Sequence, residues 1–338
     1  MKIIDGSRGE GGGQILRSSM ALAILTQTPI QIINIRAKRS KPGLMRQHLT
    51  AVRAAAEICG GTLSGDRLGA REIVFEPGDV RPGDYTFTIG TAGSVGLVFQ
   101  TVLYPLLLAD GPSRLTLEGG THNKQAPPYD FLAKTFLPLL AKMGGDVEVT
   151  LDKPGFYPAG GGRYNVAIRP SKLGPLELME RGEVGDVCVR AVVANLPISI
   201  AKRELGVVQK VLGLDRGQTR LEEVDGSDGP GNVVFVELGA EHVTEVASAY
   251  GERGVRAEAV AKKVAKEAKR YLEIGAPVGE HLADQLLLPL ALGAGGVFVS
   301  GPLSQHSLTN IETIRMFLDV DIQTRPVGDR VEVRVMPG

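Results

Sequence analysis

Three stretches of this chain repeat one order of patterns, and that repetition limits the fold more than any other feature. Each opens with an apolar helix-like run leading into a strand: GGQILRSSMALAILTQTPIQIINIRA, SVGLVFQTVLYPLLLADGPSRLTLEGG and HLADQLLLPLALGAGGVFVSGP. Each strand enters an irregular loop, KRSKPGLMRQ, THNKQAPPYD or LSQHSLTN. A second amphipathic helix follows in HLTAVRAAAEICGG, FLAKTFLPLLAKMGG and IETIRMFLDV, the first two stopping at a Gly-Gly pair suited to a helix C-cap. TLSGDRLGAREIVFEPG, DVEVTLDKPGFYPAGGGRYNVAIRPS and DIQTRPVGDRVEVRVMPG then alternate apolar and polar residues about a glycine turn, which reads as a hairpin with one buried face. An extra strand precedes the first helix in two copies (MKIIDG, DYTFTIG). The unit is βαβαββ, and the expected fold is α/β (α+β), three βαβαββ repeats in pseudo-threefold arrangement.

Arg181 to about Ile274 breaks the pattern. VCVRAVVANL reads as a strand, PISIAKRELGVVQKVLG as a helix, NVVFVEL and HVTEVASAY as strands, and RAEAVAKKVAKEAKRYLEI as a long charged helix. A smaller inserted α/β domain over 181–274 is expected, with 1–180 and 275–338 forming one discontinuous catalytic domain.

The 338 residues are 43% apolar, enough for a core of that size. The 38 Lys and Arg balance the 38 Asp and Glu, so no global basic field points to nucleic acid, and a polyanionic partner needs a local cluster of positive charge. Trp is absent and aromatics are 5%, which argues against base-stacking platforms of the usual kind. Cys59 and Cys188 stand far apart beside apolar residues and read as core fillers. No leader-like N-terminus and no apolar run of bilayer length occurs, so a soluble cytoplasmic protein without membrane contact is expected.

Under threefold symmetry the strand-to-helix loops meet on one side, where a rigid scaffold carries chemistry. The first loop, with its strand end, holds Arg36, Lys38, Arg39, Lys41, Arg46 and Gln47, a set of donors suited to phosphate. A solvated basic loop is the plain alternative. GSRGEGGGQILR adds a glycine-rich turn opening into a helix, an anion-attracting arrangement that lacks the GK[ST] of a P-loop. In it Glu10 is either a helix N-terminal acid or a carboxylate for a divalent ion beside the phosphate site. The third loop carries His306. A lone histidine is commonly structural, but on the loop equivalent to a phosphate-binding candidate a neutral imidazole is also a nucleophile towards phosphorus. His48, at a helix start, reads as capping or packing.

RGEGGGQILR, IRAKRSKPGLMRQHLTAV, GTAGSVGLVFQTVL, GGTHNKQAPPYDF, GFYPAGGGR, DGPGN, HLADQLLLPLAL and SQHSLTNIET together resemble the RNA 3′-terminal phosphate cyclases along essentially the whole chain. The resemblance implies a ligase-class nucleotidyl transfer with ATP and a divalent metal, Mg²⁺ or Mn²⁺, acting on RNA with a 3′-terminal phosphate. It implies that His306 forms a histidyl–AMP, that AMP passes to the RNA end as RNA(3′)pp(5′)A, and that the 2′-OH closes a 2′,3′-cyclic phosphate. By the same resemblance Glu10 is the metal-associated residue, and Arg17, Arg36, Arg39 and Gln47 surround the phosphates and RNA end. Gln100, Pro127, Phe131, His281, Leu282, Ala283, Asp284 and Gln285 line the nucleotide pocket. His281 stands where the bacterial relatives commonly carry a tyrosine against adenine. A non-catalytic ribosome-assembly relative is the alternative, and such relatives lack the nucleophilic histidine. An enolpyruvyl transferase leaves the adenine-pocket residues unexplained, and a lysine-based ligase needs a KxDG segment that this chain lacks. The RNA, the inserted domain's task and the oligomeric state, a homodimer among the options, are open at this point.

Overall fold

The computed structural model describes residues 1–338. The first unit runs β1 (Lys2–Asp5), α1 (Gln14–Leu25), β2 (Ile30–Ile33), α2 (Arg46–Cys59), β3 (Thr62–Ser64) and β4 (Ile73–Glu76). Its sheet has the order β1-β2-β4-β3, with β1 parallel to β2 and the remaining pairs antiparallel. The second unit begins with β5 (Asp84–Thr88), α3 (Val95–Leu107) and β6 (Ser113–Gly119). Its second helix comes in three pieces: α4 (Tyr129–Phe131), a π-helical turn (Leu132–Phe136) and α5 (Leu137–Lys142). Pro138 explains the break, because a proline has no N–H for the ladder and its ring crowds the preceding turn. With β7 (Asp146–Lys153) and β8 (Gly162–Arg169), the second sheet repeats the first, β5-β6-β8-β7, again with one parallel pair at the leading strand.

The third leading strand, which the sequence pattern left unseen, is β9 (Leu176–Leu178). Only after the interrupting segment does its unit resume with α8 (Glu280–Leu292), β14 (Gly296–Ser300), α9 (Gln305–Arg315), β15 (Val320–Val327) and β16 (Arg330–Pro337). The order β9-β14-β16-β15, with β9 parallel to β14, matches the other two sheets strand for strand. The interruption therefore falls between a unit's first strand and its first helix.

That interruption holds β10 (Val184–Ala194), α6 (Ser199–Leu212), β11 (Thr219–Glu223), β12 (Gly231–Ala240), β13 (Thr244–Tyr250) and α7 (Ala257–Ile274). They build a fourth sheet of order β11-β10-β12-β13. Strand alternation gives this sheet two apolar faces. Val189, Ala191, Val193, Val234 and Val236 join Ala201, Val208, Val260 and Val264 of α6 and α7 in a separate core. Val192, Ala194, Val233 and Phe235 join the large core shared by the three units. No helix is long and apolar enough to cross a membrane.

Candidate active site

His306 owes its position to a helix start. Ser304 is the N-cap of α9, its Oγ accepting from the Ser307 N–H at 3.2 Å, so the imidazole sits in the first turn. Free amides and the positive end of the helix dipole favour a neutral ring and a nearby anion. The side chain is 50% exposed, and its Nδ1 lies 3.1 Å from Glu10 Oε2. Glu10 comes from the other end of the chain, anchored by its backbone N–H on Thr309 Oγ1 of α9 at 3.1 Å. Its other carboxylate oxygen is paired with Arg39. Lys38 Nζ closes the same turn on the Gly9 carbonyl at 2.8 Å. The close approach requires glycine: a Cβ on Gly12 would meet both Arg39 Nη2 and Glu10 Oε2 at 2.7 Å. First-unit and third-unit loops thus converge on one histidine, one carboxylate and one guanidinium.

Partial burial lowers the His306 pKa from its ordinary 6.5, and the charges of Arg17 and Arg39 lower it further. The ring is neutral at pH 7, as a nucleophile requires. Half-buried Arg17, on α1, is brought down by burial to about 10 while Asp284 opposes the shift, and it stays charged near neutrality. Burial pushes Asp284 up to about 6 against the pull of Arg17.

Beside these groups lies a cleft whose polar lining is Gln14, Arg17, Ser18, Gln100, Asp284, Gln285 and Asn310. Its side chains are ordered by a chain of hydrogen bonds. Gln100 Nε2 donates to Gln285 Oε1 at 2.5 Å, and Gln285 Nε2 donates to Asp284 Oδ2 at 3.1 Å. Arg17 Nη2 donates to Gln14 Oε1 at 2.8 Å, and Ser18 Oγ to Asn310 Oδ1 at 2.8 Å. Asp284 Oδ1 is buried without a partner, an acceptor ready for a ligand hydroxyl or amine.

The remaining expected residues take varied places. Gln47, at the start of α2, accepts from the Ser94 N–H at 3.0 Å, which links the first unit's loop to the second unit's and leaves its amide N–H₂ to donate outward. Arg36 turns inward on its own loop, donating to the Lys41 and Gly43 carbonyls at 2.6 and 2.8 Å. His281 is exposed on the first turn of α8, and Pro127 is half-buried beside α4. Phe131, Leu282 and Ala283 are 2%, 0% and 1% exposed in the main core. His48 caps α2 as expected, its Nδ1 accepting from the Met45 N–H at 3.3 Å, and burial with nearby Arg36 and Arg17 brings it down to about 3. Sequence reading missed Gln14, Ser18, Thr309 and Asn310, and took Lys38 for a phosphate donor where it closes a turn on Gly9. A signal existed: Gln14, Arg17 and Ser18 at i, i+3 and i+4 form a polar stripe on a helix whose other residues, Ser19 apart, are apolar.

The implied divalent ion can be tested against the donors present. Glu10 Oε2 is buried and lacks an aligned hydrogen-bond partner despite the nearby imidazole. An orphaned carboxylate oxygen on a residue paired with Arg39 fits a hard cation that draws its other ligands from water and an anionic ligand. Nowhere do three His, Cys, Asp or Glu side chains converge, so a site of protein ligands alone, of the zinc type, does not fit.

Comparison with known proteins adds to this geometry. A family model described as RNA 3′-terminal phosphate cyclase matches residues 8–324. The chain belongs to that family. A relative named RNA 3′-terminal phosphate cyclase from Koribacter versatilis is 51% identical over 324 residues, covering 96% of this chain and 91% of its own length. Relatives of the same name from Pseudomonas fluorescens and Salmonella agona are 50% and 47% identical, over 95% and 98% of this chain and 94% and 96% of their own. The span matched by the cyclase family model contains Glu10, Arg17, Arg39, Gln47, Asp284 and His306, so the converging groups all lie inside the family's common part.

Proposed function

We propose that this protein converts an RNA 3′-terminal phosphate to a 2′,3′-cyclic phosphate at the expense of ATP, with His306 as the nucleophile. The observation that carries the reading is the half-exposed His306 imidazole against the Glu10–Arg39 pair, assembled from opposite ends of the chain. In this reading Nδ1 faces Glu10 and Nε2 supplies the attacking lone pair. In the first step Nε2 bonds to the α-phosphorus of ATP and the bond to the pyrophosphate oxygen breaks. Arg17 and Arg39 stabilise the charge developing on the phosphate oxygens. In the second step an oxygen of the RNA 3′-phosphate attacks the same phosphorus, the N–P bond breaks and the ring returns to its neutral form. The terminal phosphate now carries AMP as a leaving group, and the neighbouring 2′-OH expels it. Gln47, whose amide N–H₂ is left free by the bond from Ser94, suits the RNA phosphate, and Asp284, Gln100 and Gln285 suit the nucleoside. Glu10 would hold the divalent ion, which lends positive charge to the phosphate oxygens.

The same reading makes 1–180 and 275–338 the catalytic domain, its three βαβαββ units arranged about a pseudo-threefold axis, and 181–274 an inserted domain. The shared strand order of three sheets and the separate core around α6 and α7 support it. The deciding experiment is an oligoribonucleotide ending in a 3′-phosphate, incubated with enzyme, ATP and Mg²⁺. The product resists phosphatase and becomes sensitive again after mild acid opens the ring. An end that stays phosphatase-sensitive would overturn the reading.

A further inference from the structure

The turn joining β7 to β8, GFYPAGGGR over 155–163, has no part in the chemistry above, yet it is built to hold one side chain outward. Phe156 is buried, 3% exposed, and its ring stacks on His122 with centroids 5.0 Å apart. The Gly155 N–H donates to Thr121 Oγ1 at 2.9 Å, and the Gly160 N–H to the Phe156 carbonyl at 2.7 Å. Gly160 rests directly on the Thr91–Ala92 backbone, where a Cβ would meet the Thr91 carbonyl oxygen at 2.7 Å and the Ala92 nitrogen at 2.8 Å. Gly231, from the inserted segment, lies flat on the Phe156 ring, a Cβ there falling 2.1 Å from it. Between these fixed points Tyr157 is 79% exposed, the only aromatic among the large apolar side chains left in solvent.

We propose that Tyr157 is a stacking platform for a base of the RNA strand upstream of its 3′-phosphate. The inference rests on the RNA 3′-phosphate reading and gives that substrate a second contact. The Thr91–Ala92 backbone under Gly160 belongs to the loop whose Ser94 bonds Gln47, so the turn is tied through one loop to the proposed phosphate contact. Unpaired RNA bases are bound chiefly by stacking on aromatic rings, a contact indifferent to sequence. In a chain with zero net charge, affinity for a strand cannot come from a general positive field, and a non-electrostatic contact near the site supplies it. A ring already held on a rigid turn loses little freedom on binding. A protein partner fits less well. No other large apolar side chain is exposed on β5, β6, β7, β8 or the 226–231 loop, so the apolar area falls far short of a protein interface.

Because the chain has no tryptophan, Tyr157→Trp creates a single fluorophore at the site in question. Its emission is expected to be quenched when an oligoadenylate with a 3′-phosphate binds, and to be unchanged by a nucleoside 3′-phosphate that reaches the phosphate site alone. Tyr157→Ala is expected to raise the KM for the oligoadenylate about ten-fold, while Tyr157→Phe restores it and RNA-free labelling by ATP stays at the wild-type level. Unchanged tryptophan emission at saturating oligoadenylate, or a wild-type KM in Tyr157→Ala, would overturn the proposal and leave the ring to another partner. Failure of the underlying reading looks different, since the unmodified enzyme would then neither label with ATP nor cyclise the RNA.

Discussion

His306 titrates under influences that act in one direction: partial burial first, then the charges of Arg17 and Arg39, all against protonation. As the proposed nucleophile the ring must be unprotonated, so the rate of enzyme–AMP formation is expected to fall on an acid limb that lies below 6.5. Removing one of the charges, as in Arg39→Met, moves this acid limb upward, towards 6.5, besides lowering the plateau. Single-turnover pH profiles of the two proteins check it, and coincident acid limbs would contradict it. Glu10 is the second test at this scale. Glu10→Gln keeps the shape of the side chain but loses the charge that faces Nδ1 and pairs with Arg39. Enzyme–AMP formation is expected to drop about 10–100-fold, with the thermal midpoint little changed.

At the scale of elements, the inserted segment reaches the candidate site through a helix cap. Glu245 on β13 is 7% exposed and packs against Gly279, the N-cap of α8, on which Asp284 and Gln285 are carried. Burial, reinforced by the charge of Glu267, pushes Glu245 up to about 8. A carboxyl held protonated by the fold adds stability that is complete below its unfolded pKa of 4.5 and is lost as pH rises through 8. Glu245→Gln, which keeps the shape of the side chain without the charge, is therefore expected to melt several degrees above the wild type at pH 9 and to show no advantage at pH 4.5. Calorimetry at the two pH values decides, and a pH-independent difference would refute the assignment. Elements also mark where the sequence was readable. Helices and hairpins of the three units were legible because apolar period and glycine stops agreed. The strand β9 was not, since three residues, Leu-Glu-Leu, are too short to carry a period, and its unit resumes only after the inserted segment. TRLEE of β11 is too polar to announce a strand; its Glu222 faces Arg190 instead of a core. The distortion at Pro138 was visible as a proline but not as a π-turn, because tertiary packing decides whether a helix breaks or bulges.

For the whole molecule, the question is what joins the inserted segment to the three units. Apolar packing by one face of its sheet is reinforced by charge: Arg190 on β10 bonds Glu222, Glu237 and, across the joint, Asp130 of α4. Lys134 adds a pair to Glu237, and His122 closes on Asp130 at 3.6 Å. Burial works against the Asp130 charge, but His122 and Arg190 overcome it and bring the carboxyl down to about 2. Arg190→Gln leaves that buried carboxylate short of its partner and is expected to cost about 3–5 kcal/mol in urea unfolding, whereas Arg203→Gln, which breaks an exposed pair with Glu258, is expected to leave the midpoint almost unchanged. The site itself was readable as a set of loops but not as a set of contacts. Threefold repetition brought His306 and the Arg39 loop to one side on paper, while the Glu10–Thr309 anchor and the Gln47–Ser94 link depend on how the units pack. The most direct test of the central claim uses ATP radiolabelled at the α-phosphate, with Mg²⁺ and no RNA. Wild-type enzyme should retain an acid-labile, base-stable label, His48→Ala should retain it too, and His306→Ala should retain none. A His306→Ala protein that labels like the wild type would contradict the account.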